Sequence, residues 1–205
     1  MSELTLDHLA VAAGSLEEGV EWVEEQLGLP MTAGGQHAHY GTHNALLGLE
    51  DGLYLEVIAI NPMVEPAARP RWFDLDRFTG LPRVQIWACR SENLPATLEN
   101  YPAAGEAVAL ERGDFKWRMA VPPDGILPYD NCFPALMQWD VADHPARRLM
   151  PSGCRLRRLT IRHPEADALH QAMASVLSDP RVAFERGSAG LSLAFDTPAG
   201  PRDLS

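Results

Sequence analysis

The sequence predicts an α+β fold built from repeated modules, each with one strand, one helix and three further strands. Three observations favour this class. The chain has 205 residues, of which 46% are hydrophobic, and this is enough to bury a sizeable core. The first sixty or so residues combine apolar strand patterns with one amphipathic helix. The same order of patterns recurs after about sixty to eighty residues, as expected for an internal repeat.

The first module is the clearest. Its first strand is "LTLDHLAVAA", which is rich in Leu, Val and Ala and ends before Gly14 and Ser15. The helix "SLEEGVEWVEEQLG" begins with a capping box of Ser15 and Glu18 and ends at Gly28. Its apolar residues recur at helical spacing: Leu16, Val20, Val23 and Leu27. Three strands then follow, "QHAHYG", "HNALLGLE" and "LYLEVIAI", separated by Gly and Asp-Gly turns.

We divide the chain into a first βαβββ module at 1–61, a linker at 62–82, a second module at 83–140 and a third segment at 141–205. The linker is rich in Pro and Arg and holds one short helix at most. The second module reads "RVQIWACR", helix "SENLPATLEN", then "EAVALERG", "FKWRMAVP" and "PALMQWD". The third segment is a shorter βαββ unit, "RLRRLTIRH", helix "EADALHQAMASVL", "RVAFERG" and "LSLAFDT".

Charge and cysteine content exclude several classes of protein. The net charge is -11 with a single lysine, Lys116, so no basic surface for nucleic acid or an anionic membrane is expected. Three widely spaced cysteines fit neither a disulfide framework nor a thiolate zinc site, which implies a reducing compartment. Since no signal peptide or long apolar run is found, we expect a cytoplasmic protein.

Two residues stand out as candidates for chemistry. His8 shares one face of its strand with small residues, and Glu56 places a carboxylate inside an otherwise apolar strand. Burying an ionised carboxylate is costly unless a cation, a metal or strong donors meet it. Imidazole and carboxylate are ligands for zinc, iron, manganese or nickel. Each also has a purely structural explanation, His8 as a hydrogen-bonded core residue and Glu56 as a surface acid paired with an arginine.

Four segments carry a resemblance to a known family: "LDHLAVAAGSLEEGVEWVEEQLGLP", "GGQHAHYGTHNALLGLEDGLYLEVIAINP", "LPRVQIWACRS" and "LSLAFDTPAG". They resemble the glyoxalase-like domain family of the vicinal oxygen chelate superfamily over nearly the whole chain. The resemblance implies βαβββ modules whose strands form a curled mixed sheet around a central cup, with the helices outside. It also implies a divalent metal ion in the cup that chelates substrate oxygens.

Carried over to this sequence, the resemblance implies His8 and Glu56 as metal ligands of the first module. The matching strands of the second module offer Gln85 and Gln138 instead of the His or Glu of many relatives. Val84 is an alternative to Gln85, since a slip of one residue turns the other face of a strand to the cup. Neutral glutamine oxygens are weak ligands, and this departure weakens the expected metal site. Glu56 is also the candidate catalytic carboxylate.

Other side chains would complete the cup. We predict His37, Arg118 and Trp139 as contacts to a substrate, because aromatic rings with one guanidinium suit a small organic acid or a polar aromatic molecule. By strand parity His37 and His39 would share a face, with His43 opening the next strand. Trp87, Trp117 and Asn44 lie on or beside the same strands. We assign no chemistry to His144, His163 and His170.

The function that follows is a divalent-metal-dependent lyase, isomerase or hydrolase acting on a small oxygenated molecule, with zinc, nickel, manganese or iron as the metal. One alternative is a metal-free binding protein of the same fold, similar to the antibiotic-sequestering members of the superfamily, which the two glutamines favour. A second alternative is an iron-dependent ring-cleaving dioxygenase, which needs a second histidine in the cup. A small-molecule substrate or ligand is the expected partner, with a homodimer as a possible assembly.

Overall fold

The computed structural model describes residues 3–65 and 68–205, so residues 1, 2, 66 and 67 of the predicted first module and linker lie outside the described residues. The described chain contains three α-helices, α1 (Leu16–Leu27), α2 (Leu94–Leu98) and α3 (Ala166–Met173). Its twelve strands are β1 (Leu4–Ala12), β2 (Thr32–His37), β3 (Thr42–Gly48), β4 (Tyr54–Ile60), β5 (Arg83–Ser91), β6 (Glu106–Arg112), β7 (Phe115–Val121), β8 (Ala135–Trp139), β9 (Arg155–Arg162), β10 (Val182–Glu185), β11 (Gly190–Thr197) and β12 (Gly200–Leu204).

Helix α1 shows how local sequence sets an element. The Ser15 hydroxyl accepts a hydrogen bond from the Glu18 N–H at 3.2 Å, which satisfies one of the free amides of the first turn. Gly28 ends the helix with φ 69°, a left-handed conformation that glycine adopts at little cost. The buried residues Val23 and Leu27 face the sheet. Both predicted helix ends are confirmed.

Eight strands form one curled sheet in the order β2-β3-β4-β1-β5-β8-β7-β6. In each half the first strand pairs in parallel with the last, β1 with β4 and β5 with β8, and the two halves join through the antiparallel pair β1 and β5. The second half therefore repeats the pairing of the first. The predicted α+β class with repeated βαβββ order is confirmed, and the module boundaries at 61, 82 and 140 remain our proposal.

The C-terminal segment forms a separate four-stranded sheet in the order β10-β9-β11-β12. It has one strand more than predicted, β12, so its element order is also βαβββ. Its connectivity differs, because β10 lies at the edge, parallel to β9, and β11 pairs with the other side of β9. The small sheet packs on the large one, with the Phe184 ring 6.2 Å from the buried ring of Trp87.

One strand was predicted with the wrong bounds. Strand β2 begins at Thr32 and ends at His37, so "QHAHYG" lies mostly in a turn. The amides of Tyr40 and Gly41 both donate to the His37 carbonyl, and Gly41 takes a positive φ of 60°. His39 is consequently an exposed turn residue and does not share a strand face with His37. The parity rule failed because it assumed that the strand continued.

Within residues 3–65 and 68–205 no helix combines the length and apolar character needed to span a membrane.

Candidate functional site

The concave side of the large sheet encloses a small cup. Strands from both halves contribute side chains, and the connecting segment adds Trp72 and Phe73. The lining residues are His8, His37, Tyr54, Glu56, Trp72, Phe73, Arg112, Trp117, Met119, Met137 and Trp139. The enclosed space is about 30 Å³, room for one or two water molecules. The cup therefore brings an imidazole and a carboxylate together behind aromatic walls.

Asp7 and His8 form a buried pair at the base of the cup. The register of β1 against β5 shifts between Leu6 and His8, which leaves Asp7 as the extra residue of a β-bulge. The bulge breaks the alternation of side chains, and Nδ1 of His8 lies 2.7 Å from Oδ1 of Asp7. Since an ionised carboxylate can only accept, His8 donates through Nδ1–H. In its neutral form, Nε2 of His8 then carries a lone pair.

The second oxygen of Asp7 accepts from three further groups. Nε2 of His144 lies 3.0 Å from Oδ2, Nε1 of Trp139 3.0 Å and Nη1 of Arg90 3.3 Å. Nδ1 of His144 accepts from the amide of Ala146 at 3.3 Å, so its Nε2 carries the proton donated to Asp7. Burial alone raises the pKa of Asp7, but hydrogen bonds from His144 and His8 and their charges outweigh it and hold the pKa well below 3.8. Asp7 is therefore ionised.

Glu56 lies opposite His8 in the cup. Its Oε2 is 3.8 Å from Nε2 of His8, and its Oε1 accepts from Nδ2 of Asn44 at 2.8 Å. The ring of Tyr54 stacks on His8 with centroids 4.6 Å apart. Burial raises the pKa of the Tyr54 hydroxyl well above 10.0, as do the charges of Asp7 and Glu56. Glu56 is only 7% exposed, so water screens its electrostatic interactions with the neighbouring groups only weakly.

His37 and Arg112 form a second polar pair on the cup wall. Burial, together with the smaller effect of the charge of Arg112, lowers the pKa of His37 to about 3. His37 is therefore neutral near pH 7, with Nδ1 3.0 Å from the Thr42 hydroxyl. Nη1 of Arg112 donates to Nε2 of His37 at 3.2 Å. The neutral imidazole thus acts as an acceptor for a guanidinium.

Two glycines allow the edges of the large sheet to meet. The register of β2 against β3 shifts between Ala33 and Gln36, where Gly34 and Gly35 lie. A Cβ at Gly34 would clash with Asn44, whose Oδ1 accepts from the Gly35 amide at 2.7 Å. A Cβ at Gly35 would lie 2.6 Å from Cδ of Arg112. Only glycine lets Arg112 pass from β6 over the edge of β2 to His37.

Comparison with known protein families shows to which family this chain belongs. The glyoxalase-like domain family matches residues 6–177, most of the chain. The chain belongs to the glyoxalase-like domain family. The family lies within the vicinal oxygen chelate superfamily, and the resemblance seen in the sequence is confirmed. No protein with a curated description matches the sequence.

Two solved structures are similar to this glyoxalase-like protein. A hypothetical protein from Staphylococcus aureus is similar with a TM-score of 0.65 and 14% identity, covering 91% of this chain and 88% of that one. Methylmalonyl-CoA epimerase from Mycobacterium tuberculosis is 21% identical with a TM-score of 0.44, covering 67% of this chain and 88% of its own. At 14% identity, the similarity to the Staphylococcus aureus protein shows a common fold alone.

The cup collects four of the residues predicted from the sequence of the glyoxalase-like protein: His8, Glu56, His37 and Trp139. The other three lie elsewhere. Gln85 falls at a bulge of β5 and its Oε1 accepts from Arg83, beside a different cavity. Gln138 points towards α2, where its Oε1 accepts from the Leu94 amide at 2.8 Å. Arg118 pairs with Asp140 at 2.7 Å on the outer surface.

Several side chains of the site were not found by sequence reasoning. Asp7 was overlooked because parity placed it on the face opposite His8, and no sequence signal marks the bulge. His144 was assigned to a loop without chemistry, yet it donates to Asp7 and opens on its other side to a cavity of about 440 Å³. Arg112 was missed because it lies at the end of β6, where no sequence pattern marks it. The glycine pair in "GGQH" was the available signal that the edge strand β2 lies close to another element.

The superfamily implies a divalent metal in this cup, and the donor set can be tested against it. His8 and Glu56 offer two ligands, whereas catalytic zinc sites use three protein ligands and structural sites four. The second half contributes Arg112, Met119, Met137, Trp117 and Trp139, which supply no hard donor. The third candidate, Nε2 of His37, already accepts from the cationic Arg112.

Across residues 3–65 and 68–205, no three or more His, Cys, Asp and Glu side chains are grouped so as to hold a metal ion. A dioxygenase centre would need His37 beside His8 and Glu56, and the guanidinium next to His37 would repel the ion. The donor set does not fit a resident zinc, nickel, manganese or iron ion. We therefore derive the chemistry of the cup from its side chains.

Proposed function

We propose that this glyoxalase-like protein is an isomerase or lyase that moves a proton on a small oxygenated organic molecule, with His8 as general base. The observation that carries the proposal is the arrangement of Asp7, His8 and Glu56. Asp7 holds the imidazole through Nδ1 at 2.7 Å, and Nε2 lies on the cup side, 3.8 Å from Glu56. A carboxylate that orients an imidazole in this way selects the tautomer that can accept a proton.

In the proposed reaction Nε2 of His8 takes a proton from a carbon next to a carbonyl group. The C–H bonding pair then forms the enolate, whose negative charge rests on the carbonyl oxygen. The new imidazolium lies between the carboxylates of Asp7 and Glu56, which stabilise its charge. The proton returns to the same or a neighbouring carbon, from His8 directly or through Glu56. Loss of a leaving group from the enolate instead gives the lyase outcome.

The walls of the cup support chemistry that must exclude water. Trp72, Trp117 and Trp139 surround the polar pair, and an enolate in a dry site is protected from random protonation. Trp72 and Phe73 belong to the connecting segment, and Phe73 has a positive φ of 61°, a strained conformation for a bulky residue. Since the cup has room for one or two water molecules, we expect its aromatic walls to move when a substrate binds.

Deuterium exchange tests the proposal without knowledge of the physiological substrate. The protein is incubated in D₂O with 2-oxo acids, 2-hydroxy ketones and acyl thioesters, and proton NMR follows the loss of each C–H signal next to the carbonyl. Wild type should accelerate exchange of at least one class, and His8→Gln should abolish it. His170→Gln, at an exposed position of α3, should exchange like wild type. Exchange that persists unchanged in His8→Gln contradicts the proposal.

A binding protein of the same fold is the second candidate. The aromatic walls and the poor donor set for a metal favour it, because an apolar cup can hold a ligand without chemistry. In that case a compound of the panel would quench tryptophan fluorescence with saturation while none of its C–H signals exchanged. A homodimer and a cytoplasmic location stay predictions from the sequence.

A further inference from the structure

We propose that Arg112 binds a carboxylate of the ligand, so that the molecules acted on in the cup are small organic acids. The inference rests on the proposed function, because it names the substrate class of the same site. Arg112 also gives the cup a positive charge, which a bound metal ion would otherwise supply. Arg112 was not among the residues selected from the sequence, where Arg118 was expected in this role.

Arg112 brings an unneutralised charge to the cup. In the described part of the chain no carboxylate forms an ion pair with Arg112, whereas Arg71, Arg77, Arg118, Arg148 and Arg155 each have one. Glu56 lines the same cup, but its Oε1 is held by Asn44. A half-buried guanidinium without an anion is costly. A ligand carboxylate would remove that cost.

Arg112 is held in a way that leaves some of its donors free. One of its N–H groups donates to Nε2 of neutral His37, and the side chain crosses β2 over Gly35. A guanidinium has five N–H donors in a rigid plane, so donors remain for a second acceptor. The planar arrangement suits two parallel hydrogen bonds to a carboxylate. Because neutral His37 carries no negative charge, it does not cancel the positive charge of Arg112.

An unused donor belongs to a residue of the same cup. The indole N–H of Trp72 is buried and meets no acceptor among the described residues, although buried donors in native proteins are normally satisfied. Trp72 and Arg112 both line the cup. An oxygen-rich ligand would give both groups an acceptor, and the charge of Arg112 favours an acid over a neutral carbonyl compound.

The test compares acids with their neutral amides. Acetate, pyruvate, 2-oxobutanoate and benzoate, each with its carboxamide, are titrated in the presence of EDTA while tryptophan fluorescence and calorimetry report binding. At least one acid should bind wild type with saturation, and its amide at least ten times more weakly. Arg112→Met should lose about tenfold to a hundredfold of the acid affinity. Arg112→Lys should be intermediate, and Arg118→Met should match wild type.

The outcomes separate the two proposals. If no acid binds, or if Arg112→Met binds the acid as tightly as wild type while remaining folded in a thermal melt, the inference is overturned. Should Arg112→Met not fold, equal affinities of wild type for acid and amide would overturn it instead. Binding that follows the expected pattern without deuterium exchange supports the inference and contradicts the proposed proton transfer. Exchange that is equally fast with acids and amides supports the proton transfer alone.

Discussion

Oδ1 of Asp7 lies 2.7 Å from Nδ1 of His8, its neighbour in the chain, although consecutive residues of a regular strand point to opposite faces. The bulge at Asp7 makes this contact possible. It places a fully buried carboxylate behind the imidazole, away from the cup. The proposed chemistry depends on this contact.

Asp7→Asn should lower the deuterium exchange rate by about a hundredfold to ten-thousandfold. An amide that turns its NH₂ group towards His8 forces the imidazole into the tautomer with its proton on Nε2, where it cannot act as the base. An amide that turns its NH₂ group towards the three donors at the other oxygen leaves N–H groups facing each other. We expect a loss of about 1–3 kcal/mol in the free energy of unfolding as well. Exchange by NMR and urea denaturation measure the two effects. Asp140→Asn, at a surface ion pair, is the matched control, and an unchanged rate in Asp7→Asn would rule out its role.

His144 should act as a positioning residue through Asp7. In His144→Phe, Asp7 loses one donor and is held less firmly behind the His8 imidazole, so kcat should fall while KM stays near its wild-type value. A role in stability alone would lower the fraction of folded protein and leave kcat per folded molecule unchanged. The control is His163→Phe, because Nε2 of His163 lies 3.3 Å from Asp130 and not beside Asp7.

His37 should make the fold sensitive to acid. Its pKa is lowered from 6.5 to about 3, so between those values the unfolded chain binds a proton that the folded chain does not. The free energy of unfolding should therefore fall as pH decreases through this interval, by up to about 1.4 kcal/mol per pH unit from this group. In His37→Gln the slope should be smaller by that amount. Urea denaturation between pH 4 and 7 measures it, with His170→Gln expected to keep the wild-type slope.

Gln138 should matter for stability and not for the cup. Its Oε1 accepts from the Leu94 amide at the start of α2, so Gln138→Leu should cost about 0.5–2 kcal/mol, as the loss of a helix cap does. Exchange activity and acid binding should remain at wild-type levels. Thermal melts and the exchange assay check both parts. A loss of activity greater than the loss of folded protein would return Gln138 to the site.

The fold was predictable from the sequence because its signals are local. The capping box at Ser15, the glycine at 28 and the alternation around Glu56 each act within a few residues, and they placed α1, β1 and β4 correctly. Strand parity also brought His8 and Glu56 to one face. Gln138, which the resemblance implied as a ligand, does not line the cup, because Met137 and Trp139 are the residues of β8 that face it.

The rest of the site depends on contacts between distant parts of the chain. Asp7 is turned by a bulge whose cause lies in the pairing of β1 with β5. Arg112 reaches His37 across two sheet edges, 75 positions along the chain, and His144 reaches Asp7 from a loop. Such contacts leave no periodic signal in the sequence. The metal ligands were inferred from family resemblance, which cannot report which side chains of the second half face the cup.

The cup is proposed to work with protein side chains and without a resident metal ion. Calorimetric titration of wild type and Glu56→Gln with zinc, nickel, manganese and iron(II) tests this proposal. Neither protein should bind any of these ions stoichiometrically, and a thermal melt of wild type should be unchanged by their addition. Stoichiometric binding by wild type that is lost in Glu56→Gln, together with a metal-dependent rise in melting temperature, would contradict the proposal and restore the metalloenzyme predicted from the sequence.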